Sequence, residues 1–206
     1  SDNCILTTKA SSHSKADIRL RIYDHRLASE TELGFSIKSL LGKKSTLFNT
    51  GQGNNFIYEV KCLTESINIK EFNESTIIDK PKIVSRINKL NELGSKISFY
   101  GVQSRQLQQN LKMIDGDLPE VIAWSLYYRY LKNEPSLVKI ADLLETEDPL
   151  GFYETADDKK QRMYVYKLKK FLAESAMGMT SENIWLGEYD SFGGVIVAKN
   201  DGDIVC

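Results

Sequence analysis

Asp17 and Lys38 are the residues whose types and positions most clearly suggest chemistry. Each belongs to a run in which apolar and polar residues alternate, residues 17–23 and 32–38. Side chains of a β-strand point alternately to its two faces, so both runs are predicted to be half-buried strands. A carboxylate and a lysine on neighbouring strands can hold a divalent metal ion and orient a water molecule, as the hydrolysis of a phosphodiester bond requires.

The short separation of the two runs favours an antiparallel hairpin, and the alternation then sorts its residues onto two faces. One face is apolar and is expected to pack on the core: Ile18, Leu20, Ile22, Leu33, Phe35 and Ile37. The other face is polar: Asp17, Arg19, Glu32, Ser36 and Lys38. Opposite side chains of a strand pair lie about 5 Å apart, so the polar face is the predicted site of chemistry.

The rest of the chain predicts a small mixed sheet surrounded by helices, an α/β (α+β) fold. Residues 56–60 could open a helix capped by Asn54 or Asn55, or could form a strand. Residues 97–100 are predicted to be a further strand, and residues 194–198 and 203–206 a closing hairpin. Apolar residues at helical spacing predict helices through most of 77–185, the last of them a basic helix from about 159 to 176.

Composition excludes several classes of protein. The 206 residues are 41% hydrophobic and 27% charged, which is typical of a soluble globular protein without a membrane span. The three cysteines have no CxxC spacing, so a reduced, cytoplasmic compartment is expected. Two histidines are too few for a His-rich zinc site.

The net charge of −1 argues against a protein that coats nucleic acid through bulk charge. Residues 1–55 nevertheless carry eight basic and five acidic side chains, so this part of the chain is mildly basic. The length predicts one domain over 1–206, with the hairpin and a Gly-rich loop in 1–63, a mostly helical part in 77–185 and the closing hairpin in 192–206. The chain lacks an initiator Met and stops within a predicted strand, so we expect a fragment of a longer protein.

An acid followed on the next strand by acid-x-Lys resembles the core of the PD-(D/E)XK nucleases. Several longer blocks resemble the HpaII-type restriction endonuclease family: SSHSKADI at 11–18, ELGFSIKSLLG at 32–42, NNFIYE at 54–59, GGVIV at 193–197 and DGDI at 201–204. The resemblance spans most of the chain. It implies a Mg²⁺-dependent type II enzyme in the bacterial cytoplasm that cuts double-stranded DNA at the palindrome CCGG.

The resemblance also implies partners. A palindromic site favours a homodimer, because a twofold protein presents the same surface to both half-sites. A cognate DNA methyltransferase would belong to the same restriction-modification system, as a functional and not a physical partner. No membrane partner is expected.

The chain departs from the family pattern at Ser36, where an acid is expected. A neutral hydroxyl is a poor replacement for a carboxylate on Mg²⁺, which prefers charged oxygen ligands. Glu32, on the same face, or Glu59 could supply the missing acid, and Glu59 is slightly favoured if residues 54–60 form a helix. The predicted catalytic set is therefore Asp17, Ser36, Lys38 and Glu59, with Asp17 and either Glu59 or Glu32 on the metal.

Contacts to DNA are expected around this site. Phosphate contacts, which position a duplex without reading its sequence, are predicted for Lys15, Arg19, Lys43 and Lys44. His13 is expected to be a loop residue or a DNA contact and not a general base. Bases could be read by Gln52, Asn54 and Asn55, or instead by Arg105, Gln106 and Gln108. Two other functions remain open: a DNA-binding module that has lost catalysis, which Ser36 favours, and a junction or repair nuclease of the same superfamily.

Overall fold

A computed structural model of the chain describes residues 16–26, 28–39, 54–61, 68–74, 81–189, 194–198 and 203–205. Its strands are β1 Ile18–Asp24, β2 Ser29–Ser39, β3 Phe56–Lys61, β4 Lys96–Val102, β5 Gly194–Ala198 and β6 Ile204–Val205. Its helices are α1 Ile69–Glu74, α2 Lys82–Glu92, α3 Arg105–Ile114, α4 Leu118–Leu131, α5 Leu137–Glu147 and α6 Met163–Met177. This mixed architecture confirms the predicted α+β class.

The chain divides into two compact units. The first unit comprises Ser1–Gly51 with Lys170–Cys206, and the second comprises Gln52–Lys169. The assignment of the whole chain to a single catalytic domain stays a prediction.

A four-stranded sheet in the order β1-β2-β5-β6 forms the centre of the first unit. β1 and β2 pair antiparallel, from Ile18 opposite Phe35 to Asp24 opposite Ser29, as the alternation predicted. β5 lies parallel to β2 on its other side, with Gly194 opposite Phe35. β6 pairs antiparallel with β5, which confirms the closing hairpin.

The prediction that the apolar face of the β1–β2 hairpin is buried is wrong for four of its six residues. Ile18, Leu20, Ile22 and Ile37 are 38–49% exposed. The buried residues of this hairpin region are small: Ala16, Gly34 and Ser36. Among the described strands β1 lies at the edge of the sheet, so Ile18, Leu20 and Ile22 keep more contact with solvent than side chains of a central strand.

The second unit has a helical core. Val121 of α4, Ile140 and Leu144 of α5, and Tyr164 and Leu168 of α6 are buried together. These apolar residues recur at helical spacing in the sequence, and burying one of them contributes about 1.5–3 kcal/mol. α6 is shorter than the predicted basic helix, because Arg162 adopts a left-handed conformation (φ 50°) that separates it from a 3₁₀ turn at Asp158–Gln161.

Residues 56–61 form strand β3 and not a helix. β3 pairs antiparallel with β4 in a separate two-stranded sheet, from Phe56 opposite Val102 to Lys61 opposite Lys96. The hydroxyl of Tyr58 donates to the carbonyl oxygen of Ala123 at 2.5 Å, which ties β3 to α4. Burial raises the pKa of Tyr58 well above its ordinary value, so this hydroxyl stays protonated and keeps donating. Among the helices that the structure describes, none is long and apolar enough to cross a bilayer.

A buried ion cluster joins α6 to the turn before α4. Lys167 Nζ lies 2.7 Å from Asp115 Oδ1 and 2.9 Å from Asp117 Oδ2, and it also lies over the ring of Phe152. The side chains of Lys167 and Asp115 are only 9% and 14% exposed. Burial lowers the pKa of Lys167, but the hydrogen bonds to both aspartates outweigh burial and raise it above its ordinary value.

Removing the Lys167 charge should strongly destabilise the protein. We expect Lys167→Met to lower the free energy of unfolding by about 3–5 kcal/mol, because the largely buried carboxylate of Asp115 would lose its cationic partner. Lys169→Met is the matched control: Lys169 is exposed on the same helix, so its change should stay within about 0.5 kcal/mol. Urea denaturation measures both variants, and equal effects would contradict a structural role for the cluster.

Candidate functional site

The backbone register holds Asp17 at the start of β1. The amide of Asp17 donates to Phe35 O at 2.8 Å, which extends the β1–β2 ladder by one residue and sets Asp17 opposite Ser36. Asp17 Oδ2 accepts hydrogen bonds from the amide of Ile37 at 2.6 Å and from Ser36 Oγ at 3.4 Å. In the part of the chain that the structure describes, no residue bonds Asp17 Oδ1, and the side chain is exposed. One carboxylate oxygen is therefore fixed, and the other can accept a ligand.

Ser36 lies beneath this carboxylate. The residue is only 1% exposed, and its hydroxyl donates to Asp17. A neutral donor at this position supports a carboxylate that a second acid would repel. The hydroxyl of Ser36 is therefore placed to hold one carboxylate oxygen of Asp17.

Lys38 follows Ser36 by two residues on β2, where its backbone lies opposite Val197 of β5. Because side chains alternate along a strand, positions 36 and 38 lie on the same face of β2, as predicted. The side chain of Lys38 is not among the described parts of the structure.

Glu32 belongs to a surface ion cluster farther along the hairpin. Arg19 Nη1 lies 3.0 Å from one of its carboxylate oxygens and Arg21 Nε lies 3.2 Å from the other. The hydrogen bond from Arg19, followed by the one from Arg21, holds the pKa of Glu32 below its ordinary value. The register explains this cluster, because Arg21 is directly opposite Glu32.

Distance also argues against a metal ion shared by Glu32 and Asp17. Glu32 stands four residues before Ser36 on β2, about 13 Å along the strand. Two oxygens on one Mg²⁺ are at most about 4 Å apart, since each lies near 2.1 Å from the ion. With both of its oxygens held by arginines, Glu32 does not complete a metal site with Asp17 in this arrangement.

The helix on which the case for Glu59 depended is absent, since Glu59 lies on strand β3. Its carboxylate is exposed and lies 3.3 Å from Lys61 Nζ, two residues along the same strand. Glu59 belongs to the second unit, whereas Asp17 belongs to the first. The preference for Glu59 over Glu32 therefore loses its structural basis.

The donor set near Asp17 suits a weakly held hard cation. The described residues contain no cluster of three or more histidine, cysteine or acidic side chains that could hold a metal ion. Mg²⁺ does not need such a cluster, because it commonly binds one or two carboxylates and completes its shell with water and substrate phosphate. Asp17 fits the role of that carboxylate through Oδ1.

The predicted DNA contacts are only partly within the described structure. His13, Lys15, Lys43, Lys44 and Gln52 lie outside the described residues. Arg19 is half exposed and paired with Glu32, and Asn54 and Asn55 directly precede β3.

Gln103, which lies beside the start of β3, was not among the residues predicted from the sequence. Asn55 Nδ2 donates to Oε1 of Gln103 at 2.8 Å. The two residues are 48 positions apart, so no local pattern could have joined them.

The comparisons with known proteins agree with the sequence resemblance. The family model described as HpaII restriction endonuclease matches residues 2–206. The chain is similar to the type II restriction enzyme HpaII of Haemophilus parainfluenzae, with 32% identity over 197 residues that cover 96% of this chain and 52% of that protein. The chain thus spans about half the length of the curated relative that it matches. No solved structure matches it.

An acid at position 36 should destabilise the hairpin. We expect Ser36→Asp to lower the free energy of unfolding by about 3 kcal/mol at pH 8, because a charge would be buried beside Asp17. The pKa of the introduced carboxyl would be raised in the folded state, so the loss should grow as pH rises through that value and be smaller at pH 5.

Ser36→Asn is the control, because asparagine has the same shape as aspartate but carries no charge. Urea denaturation at both pH values should show a pH-dependent difference between the two variants. If Ser36→Asp were as stable as Ser36→Asn at pH 8, position 36 would accept an acid and our account of Ser36 would fail.

Proposed function

Because the chain belongs to the HpaII restriction endonuclease family, we propose that its full-length protein is a type II site-specific deoxyribonuclease. We further propose that it hydrolyses both strands of double-stranded DNA at the palindrome CCGG with Mg²⁺ as cofactor. The palindrome suits a homodimer. A cognate methyltransferase in the same bacterial cytoplasm would protect the host sites.

The observation that carries this proposal is the hydrogen bonding of the Asp17 carboxylate. Two donors of β2, the Ile37 amide and the Ser36 hydroxyl, fix one of its carboxylate oxygens. The other oxygen has no partner among the described residues. An exposed carboxylate that is oriented in advance can bind a cation without first losing side-chain freedom.

The roles follow from the order of residues on the hairpin. Asp17 would hold Mg²⁺, which when bound stabilises charge at the phosphate and lowers the pKa of a bound water. Lys38 would orient the attacking water and offset negative charge at the phosphate. Arg19 is a proposed phosphate contact and has Glu32 as its anchor. Glu32 and Glu59 stay proposals for a second acid; the arginines that hold Glu32 disfavour it, and Glu59 lies on a strand and not on the helix that favoured it.

A second candidate function is a DNA-binding module on the same fold that lacks catalysis. The neutral Ser36 favours it, and the described residues hold no group of three or more histidine, cysteine or acidic side chains that could bind a metal ion. Both candidates predict binding to DNA, and only the first predicts cut products.

Cleavage of plasmid DNA separates the two candidates. Full-length protein incubated with plasmid and Mg²⁺ should yield discrete fragments whose ends map to one short palindrome, and EDTA should abolish the cutting. DNA that is retarded in a gel but intact would favour the binding module. Fragments with ends at many unrelated sequences would instead indicate a non-restriction nuclease.

Lys38→Ala should slow cleavage by about 10²-fold or more and leave DNA affinity within a few-fold, because the lysine acts at the reacting phosphate. Asp17→Asn should also abolish cleavage, since a neutral amide binds Mg²⁺ poorly. Lys132→Ala, at an exposed helix end of the second unit, is the control and should cut normally. Single-turnover cleavage and gel-shift titrations measure the two quantities, and normal cutting by Lys38→Ala would refute the assigned site.

A further inference from the structure

We propose that Asn55, Gln103 and Arg105 form a surface that reads G·C base pairs in the major groove of DNA. This inference rests on the proposed nuclease function and adds the part that recognises sequence. All three residues belong to the second unit, at the end of the β3–β4 sheet where α3 begins.

Asn55 and Gln103 are joined through both backbone and side chains. The Gln103 amide donates to Asn55 O at 2.8 Å, which continues the β3–β4 ladder by one pair beyond Phe56 and Val102. Asn55 Nδ2 donates to Gln103 Oε1, also at 2.8 Å. Both side chains are exposed. The two amides are thus held side by side at the surface.

This pairing leaves one acceptor and one donor group facing outward. Within the described part of the chain, Asn55 Oδ1 and Gln103 Nε2 have no hydrogen-bond partner. In the major groove a G·C pair presents guanine O6 and N7 as acceptors and cytosine N4 as a donor. Gln103 Nε2 can donate to guanine, and Asn55 Oδ1 can accept from cytosine, so the amide pair complements a G·C edge.

Arg105 adds a second guanine-binding group. It is the first residue of α3, two positions after Gln103, and its side chain is exposed. Among the described residues, none forms an ion pair or hydrogen bond with its guanidinium. A guanidinium can donate to O6 and N7 of one guanine at once, which is the commonest specific contact to that base.

The neighbouring amides are committed to the fold. Gln106 Nε2 donates to Asn110 Oδ1 at 2.8 Å within α3. Gln108 Oε1 accepts from the Val102 amide at 3.0 Å and braces the end of β4. A Cβ at Gly101 would lie only 3.3 Å from that oxygen, so a glycine there leaves room for the brace. These contacts remove Gln106 and Gln108 from the candidates and leave Arg105.

Hydrogen bonds hold the backbone of this surface on both sides, which suits base reading. Ser104 Oγ caps α3 by accepting from the Leu107 amide at 3.1 Å, directly between Gln103 and Arg105. A strand ladder on one side and a capped helix on the other thus hold the three residues. Groups that are ordered before binding lose less conformational entropy when they contact DNA.

Sequence selection from a random pool tests the inference. Full-length protein is incubated with duplexes that carry eight randomised base pairs, and both the bound and the cut molecules are sequenced. Gln103→Glu exchanges the outward donor for an acceptor, while its remaining oxygen can still accept from Asn55. We expect its discrimination at one base pair of each half-site to fall by about 5- to 150-fold, the range of one good base contact. Arg105→Ala should relax a different guanine position.

Gln109→Glu is the matched control, because it introduces the same charge at an exposed position of α3, the helix that begins at Arg105. Its sequence profile should equal that of the wild type. Thermal unfolding checks each variant, and Arg105→Ala alone decides the question if Gln103→Glu does not fold.

An unchanged profile in the folded variants, or a loss that is uniform across all sequences, would overturn the inference but not the proposed function. A wild-type protein that selects and cuts nothing would overturn both.

Discussion

The pairing of Ile18 with Phe35 sets the register of the β1–β2 hairpin, and the candidate site depends on that register. A slip of one residue would move every side chain of β1 to the opposite face and separate Asp17 from the Ile37 amide. Burial of an apolar face usually specifies register, yet Ile18 and Ile37 remain largely exposed. The specificity must therefore come from other interactions of the same strands.

Three such interactions favour the observed register. β2 is paired on both sides, with β1 and with β5, so a slip would disrupt two ladders. The buried positions of β2, Gly34 and Ser36, hold small residues that a slip would exchange for larger ones. Glu32 meets two arginines only when Arg21 is opposite it. Exposed ion pairs contribute at most about 1 kcal/mol each, so the ladders and the small buried residues dominate.

Local patterns in the sequence predicted the elements whose partners are near in the chain. Alternation with period two revealed the β1–β2 hairpin, the turn signal NDG at 200–202 in the sequence revealed the closing hairpin, and helical spacing revealed α2 to α5. Residues 56–61 were ambiguous, because their short apolar run fits a helix or a strand and their partner β4 lies about 40 residues away. The exposure of the β1 apolar face was likewise hidden, since alternation shows which residues share a face but not what covers it.

The candidate site shows the same limit. The alternation of side chains along each strand was enough to predict that Asp17, Ser36 and Lys38 share one face of the hairpin. Lys167 and Asp115 are 52 residues apart, and the ion pairs of Glu32 with two arginines depend on the register of the hairpin. Neither interaction was visible in a local pattern of the sequence. The sequence could not decide between Glu32 and Glu59 for this reason: the choice required knowing whether residues 54–60 had a strand partner.

Ser36 shows why a departure from the family pattern does not by itself imply a defective site. Two carboxylates within hydrogen-bonding distance repel each other until a cation arrives, and one of them tends to take up a proton. A hydroxyl in that buried position donates to Asp17 instead, so the hairpin holds its carboxylate in place without a cation. In the proposed metal site the cost would be a smaller negative charge, and a DNA phosphate could supply the missing oxygen ligands. A site of this kind would bind its ion most tightly when its substrate is present, because the two would complete one coordination shell together.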